Sequence, residues 1–145
     1  MTEIKMKRTR PGARLPQRAT DGSAGYDLSA ATDAPVSVEA GATVRIPTGI
    51  AIQLEPGTVG LVFGRSGLGT KHGVTLTNSV GVIDSDYRGE IHVSLTCRHR
   101  EGYTVQPGDR IAQLVIVPVL TPRVAEVEEL DETQRGAGGF GSTGK

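Results

Sequence analysis

A chain of 145 residues is long enough to bury one hydrophobic core and too short to argue for two. Sixteen basic and sixteen acidic side chains give a formal net charge of zero, so no overall field points to nucleic acid or a membrane surface as a partner. The single cysteine, Cys97, excludes an internal disulfide, and no apolar run approaches the roughly 20 residues of a membrane-spanning helix. The expectation is a soluble protein of a reducing compartment, the cytoplasm.

In chain order, the first eighteen residues carry Lys5, Lys7, Arg8, Arg10, Arg14 and Arg18 against Glu3. Such a run is more often a solvated face or a subunit contact than a binding tract. An edge strand and a free arm both fit this opening, and it has no apolar stretch of the kind a secretory signal needs. From Ala24 onward Val, Ile and Thr recur in short runs, at 36–38, 43–46, 49–54, 59–63, 74–76, 90–97, 110–117 and 124–127. Gly- and Pro-containing turn signals at 39–41, 55–57 and 106–108 separate them. This spacing predicts an all-β, jelly-roll-like sandwich or barrel and argues against alternating βαβ units. At most one or two helical turns fit between Arg65 and Lys71. An acidic run, Glu126, Glu128, Glu129, Asp131 and Glu132, follows the last strand-like stretch. The final eleven residues, RGAGGFGSTGK, are too glycine-rich to bury a core. A β domain over 1–134 and a flexible arm over 135–145 are therefore expected.

The stretch 81–91, GVIDSDYRGEI, places Asp84, Asp86 and Tyr87 on a turn rich in residues that bond their own backbone. Alternation of Ile91, Val93, Leu95 and Cys97 with polar residues beyond it is the period-two pattern of a half-buried strand, so a β-hairpin with acids at its tip is predicted. Taken alone, such a turn is most often just solvated. Three other islands combine Gly with charged or hydroxyl groups: AGYDLSAA at 24–31, GRSGLG at 64–69 and GDRIAQLVI at 108–116. The tail formally matches G-x-G-x-x-G and G-x-x-x-x-G-K, but neither match has the preceding strand and following helix that a phosphate loop requires. Consecutive Gly, Ser and Thr amides can still wrap an anion. Aromatic rings are few, and one in a glycine tail, Phe140, has little core to join; stacking on a planar ligand suits it, at on the order of 1–3 kcal/mol per base.

These islands, in this order, together with the tail motif RGAGGFGSTG, resemble the trimeric deoxyuridine triphosphatases over nearly the whole chain, from Leu15 to Lys145. One such motif would be weak; five in order are specific. The resemblance implies hydrolysis of dUTP to dUMP and pyrophosphate, which limits uracil in DNA and supplies dUMP for thymidylate synthesis. It implies a homotrimer with each site shared among three chains, Mg²⁺ as cofactor, and no nucleic-acid or membrane partner. By residue, it implies uracil recognition by main-chain groups at Asn78, Val82, Ile83 and His92, a wall against deoxyribose at Tyr87, and a water-activating carboxylate at Asp84. Arg65, Ser66, Gly67 and Gln113 would grip the phosphates, and Asp27 would reach Mg²⁺ through water. From the arm, Phe140 would cover the base while Arg135, Gly141, Ser142 and Thr143 close on the phosphates. His92 is not a residue the family requires. Ordinary structural roles stand beside these: an ion pair for Arg65, a strand hydrogen bond for Gln113, a turn cap for Asp27. Two other functions are weighed. A dCTP deaminase of the same superfamily would carry a glutamate on the strand after the turn, where this chain has Ile91, His92, Val93, Ser94 and Leu95. A nucleotide-responsive regulatory protein needs no turnover, and the full residue set disfavours it.

Overall fold

The computed structural model describes residues 3–141. Its regular elements are eleven strands and one short helix: β1 (Lys5–Arg8), β2 (Tyr26–Ser29), β3 (Val36–Val38), β4 (Thr43–Pro47), β5 (Ile50–Gln53), β6 (Thr58–Phe63), α1 (Ser66–His72), β7 (Val74–Leu76), β8 (Gly81–Ile83), β9 (His92–Cys97), β10 (Tyr103–Val105) and β11 (Arg110–Pro118). The expected all-β sandwich is what forms. A four-stranded sheet of order β2-β11-β6-β8 is joined by a three-stranded sheet, β4-β9-β7, and by two strand pairs, β1-β5 and β3-β10. Every ladder is antiparallel.

Alternation decides which faces are buried. Along β9, Val93, Leu95 and Cys97 are buried while His92 faces solvent. From the other sheet Leu28, Ile111, Ala112 and Leu114 enter the same core, so the apolar faces close on one another. The lone cysteine is a small core residue, as expected, and its thiol is 3.3 Å from the His72 carbonyl.

The predicted runs at 36–38 and 74–76 match β3 and β7, and five others match strands to within a residue or two at each end. Three differences carry information. The basic opening is an edge strand, β1, paired to β5. The run at 124–127 forms no strand, and Val124 is 99% exposed, because nothing in this chain offers it a ladder. The predicted hairpin across 81–97 does not form: β8 pairs with β6, and β9 pairs with β4 and β7. Residues 84–91 therefore link two different sheets, and alternation along a sequence cannot say which strand is the partner.

Candidate active site

The centre of the site is set by register. On β11, Gln113 stands opposite Asp27 of β2 on one side and Phe63 of β6 on the other. The chain leaving β6 through Gly64 then delivers Arg65 and α1 beside them. Arg65 is the N-cap of α1, with extended backbone and no side-chain cap, and Gly73 closes the helix in the left-handed conformation. Asp27, Arg65, Ser66, Gly67 and Gln113 thereby line one cleft of about 520 Å³ with Ser23, Ala24 and Gly25. The structure thus brings together all the phosphate- and metal-directed residues expected in the body of the chain.

Their bonds are specific. Arg65 Nε lies 3.1 Å from Asp27 Oδ1, and Arg110 Nη1 lies 3.1 Å from Asp27 Oδ2. Gln113 Nε2 donates to the Gly64 carbonyl at 3.1 Å, and Arg65 Nη1 to that of Arg110 at 3.4 Å. One carboxylate thus faces two guanidinium groups, leaving a net positive charge for an anionic ligand. Gly25 is favoured by close approach: a β-carbon there would stand 2.5 Å from Gln113 Oε1 and push that amide aside. Arg110 and Gly25 lie inside motif islands, yet spacing alone gave them no role; their part comes from tertiary contact.

The turn at 84–91 is held from below. The Tyr87 amide donates to the Asp84 carbonyl at 3.1 Å. The Tyr87 hydroxyl donates to the Glu90 carbonyl at 2.9 Å, with the ring laid over Gly89, where a β-carbon would collide with it. The Glu90 carboxylate accepts both Nε and Nη2 of Arg10 at 2.9 Å, and the Gly49 amide at 2.8 Å. Burial alone would push that carboxyl up; the bonds from Arg10 and Gly49 outweigh it and hold Glu90 below the ordinary glutamate value. The next residue, Ile91, is in the core, its carbonyl bonded by the buried Thr48 hydroxyl at 2.7 Å and its amide by the Ile50 carbonyl. Arg10, Glu90, Thr48 and Gly49 escape a search for catalytic residues because each is individually an ordinary polar or small residue.

Above these anchors the functional groups are open. Among the described residues the Asp84 side chain, exposed on the turn, joins no hydrogen bond or ion pair. Val82 is 61% exposed, and β8 is the outer strand of its sheet. On the facing side, β7 reaches along β9 only to Leu95, with one further bond from Thr77 to Ser94. Among the described residues, backbone groups of β8 and of the His92 end of β9 are therefore left without a strand partner on one side. Asn78 lies beside the start of β8, its carbonyl accepting the Val80 amide at 2.7 Å and its side chain exposed. His92 Nδ1 is 3.1 Å from the Glu90 carbonyl.

Neither Asp84, Tyr87 nor Phe140 lines the phosphate cleft of the same chain. Phe140 is fully exposed, and Arg135 Nε donates to Gly138 at 2.8 Å, so this part of the arm turns on itself. Gly141 follows with a positive φ of 84°. Ser142 and Thr143 lie outside the described residues.

Residues 12–144 match the dUTPase protein-family model. The deoxyuridine 5'-triphosphate nucleotidohydrolase of Paraburkholderia phymatum is 51% identical over 144 residues, covering 99% of this chain and 97% of that protein. That of Desulfitobacterium hafniense is also 51% identical, over 149 residues and 99% of each. Among solved structures, the Staphylococcus bacteriophage 80alpha dUTPase with dUpNHpp superposes with a TM-score of 0.88 at 30% identity, covering 100% of both chains. A mutant dUTPase from phage phi11 of S. aureus, described as revealing the coordination of a structural Mg(II) ion, superposes at 0.81 with 27% identity, over 88% of this chain and 98% of that one. By that match and these relatives, the chain belongs to the dUTPase family.

Proposed function

We propose that this protein hydrolyses dUTP to dUMP and pyrophosphate by attack of water on the α-phosphorus, in a homotrimer whose sites each draw on three chains. The observation that carries the reading is the cleft in which strand register gathers Asp27, Arg65 and Gln113, in a chain half identical to dUTP nucleotidohydrolases. Arg65, Ser66, Gly67 and Gln113 bind the phosphate chain and meet the charge that grows as the α,β bond breaks, which is where such catalysis gains most.

Among the described residues no three His, Cys, Asp or Glu side chains come together as a metal cage. One carboxylate beside a phosphate cleft fits a hard cation that keeps several waters and takes ligands from its substrate. Bound there, Mg²⁺ would neutralise phosphate charge, with Asp27 the residue that would bond its waters, since a carboxylate offers about four acceptor positions and the guanidinium contacts occupy only some.

The base lies against the free edges of β8 and β9, where main-chain groups of Val82, Ile83 and His92, with Asn78, pair with its edge. Fixed donors and acceptors reject a base of the wrong pattern far more strongly than an apolar pocket does. The pinned Tyr87 ring packs on deoxyribose and leaves no space for a 2′-hydroxyl. Asp84, on a turn anchored at both ends, takes the proton from the attacking water. The arm from 135 to 145 closes a neighbouring chain's site, Phe140 over the base and Arg135, Gly141, Ser142 and Thr143 over the phosphates, and excludes water. Two features support sharing between chains: no single chain joins Asp84 to the phosphate cleft, and the segment carrying Leu120, Val124 and Leu130 is left exposed.

The test is an assay of the purified protein with Mg²⁺ and each of dUTP, dCTP, dTTP and UTP, following pyrophosphate and ammonia together. Pyrophosphate from dUTP alone is expected. Ammonia from dCTP, or no pyrophosphate from dUTP, overturns the reading.

A further inference from the structure

The basic opening of the chain is not used by the reaction described above, and the fold gives it a place. Arg8, Arg14 and Arg18 come together with Arg110 around a cleft of about 700 Å³. The only carboxylates lining it are Asp27 and Asp109, so cations outnumber anions. Asp27 lines this cleft and the phosphate cleft alike, and Arg110 reaches it from the basic side as Arg65 does from the other.

Among the described residues, no carboxylate lies within ion-pair distance of Arg8, Arg14 or Arg18. Neutral groups hold two of them instead. Arg14 Nη1 donates to the Gly108 carbonyl at 3.2 Å, its guanidinium lying where a side chain at 108 would stand. Arg18 Nη1 donates to the Asp21 carbonyl at 2.7 Å and lies 6.0 Å from the Tyr26 ring centroid. Guanidinium groups fixed by carbonyls keep their full charge and most of their donors for a ligand. A concave surface lined by one sign of charge concentrates counter-ions of the other.

We propose that this cleft is a second anion subsite, which receives inorganic pyrophosphate beside the phosphate cleft and so provides its way out after hydrolysis. The proposal rests on the dUTP reading for the source of pyrophosphate, but not for the binding itself. A compact, highly charged phosphate anion suits Arg8, Arg14 and Arg18, which line the cleft without a carboxylate partner, because planar N–H pairs match phosphate oxygens two at a time. A planar base has no ring to stack on within it, Tyr26 being absent from its lining.

The experiment is a calorimetric titration of pyrophosphate into protein already saturated with dUpNHpp, so that the phosphate cleft is filled. Binding of one further pyrophosphate per chain is expected, weakening with added salt. The Arg8→Ala/Arg14→Ala protein should bind it at least about tenfold more weakly, as loss of charged hydrogen bonds requires, while its affinity for dUpNHpp and its kcat/KM for dUTP stay unchanged. The unchanged dUpNHpp affinity also reports that the variant is folded. Absence of pyrophosphate binding to the saturated protein, or equal binding by the double variant, overturns the subsite. If dUpNHpp itself fails to bind, the dUTP reading falls, and the same pair of titrations on ligand-free protein still decides the subsite.

Discussion

In the phosphate cleft, Asp27, Arg65 and Gln113, with Arg110 reaching Asp27 from the neighbouring cleft, hold one another and the backbone through contacts of 3.1–3.4 Å. At the turn, by contrast, the bonds run through its backbone, Tyr87 and the anchors Arg10, Glu90 and Thr48, while the Asp84 carboxylate joins none of them among the described residues. The cleft is built within one chain by the register of three strands. The turn is built as a rigid pedestal whose working groups have no counterpart in the same chain. A group that binds a highly charged substrate gains from being set in place beforehand. In the proposed reaction, a carboxylate that meets a water at phosphorus needs only a fixed backbone, provided that its partner surface arrives from another chain.

The largest expected effect comes from removing the exposed half and leaving the built half alone. Asp84→Asn should lower kcat by about 10²–10⁴, the usual range for loss of a general base, with dUpNHpp affinity nearly unchanged by calorimetry. A near-normal rate would move the base to another residue. Truncation before Arg135 should abolish most turnover while circular dichroism and Tm remain those of the full chain; a fall in Tm of many degrees would make the arm a structural element.

Gly25→Ala tests the other half. The new methyl displaces the Gln113 amide from its bond to Gly64, so KM for dUTP should rise about tenfold, the size of one charged or well-placed hydrogen bond. The kcat should change less. If kcat falls instead with KM unmoved, Gln113 acts in the transition state and not in substrate binding.

The smallest effect concerns the pedestal. The folded value of Glu90 is depressed below 4.5, so its contribution to stability is present above the unfolded value and is lost as pH falls through the folded one. Glu90→Gln should therefore lower Tm by a few degrees at pH 7, and the gap from the parent should close as pH falls through the depressed folded value, below the usual glutamate range, where the parent's carboxyl too becomes uncharged. A gap that persists at low pH would show that shape and not charge holds the turn.

Sequence by itself determined the fold class, the short strands, the two termini's composition and the five motifs, because turn residues and period-two alternation are local properties and each motif is contiguous. The strand at Val36–Val38 and the short helix after Arg65 were legible for that reason. So were Asp84 and Tyr87 as residues of interest, being acids and rings on a turn that needed neither. Tertiary structure alone decided that β8 and β9 belong to different sheets, where alternation had suggested a closed hairpin. It alone brought Asp27, Arg110 and Gln113 to Arg65, gave Gly25 its reason, and tied Arg10 to Glu90 across 80 positions. Strand partners and ion pairs are chosen by the closing of the whole core, and no window of sequence contains that choice.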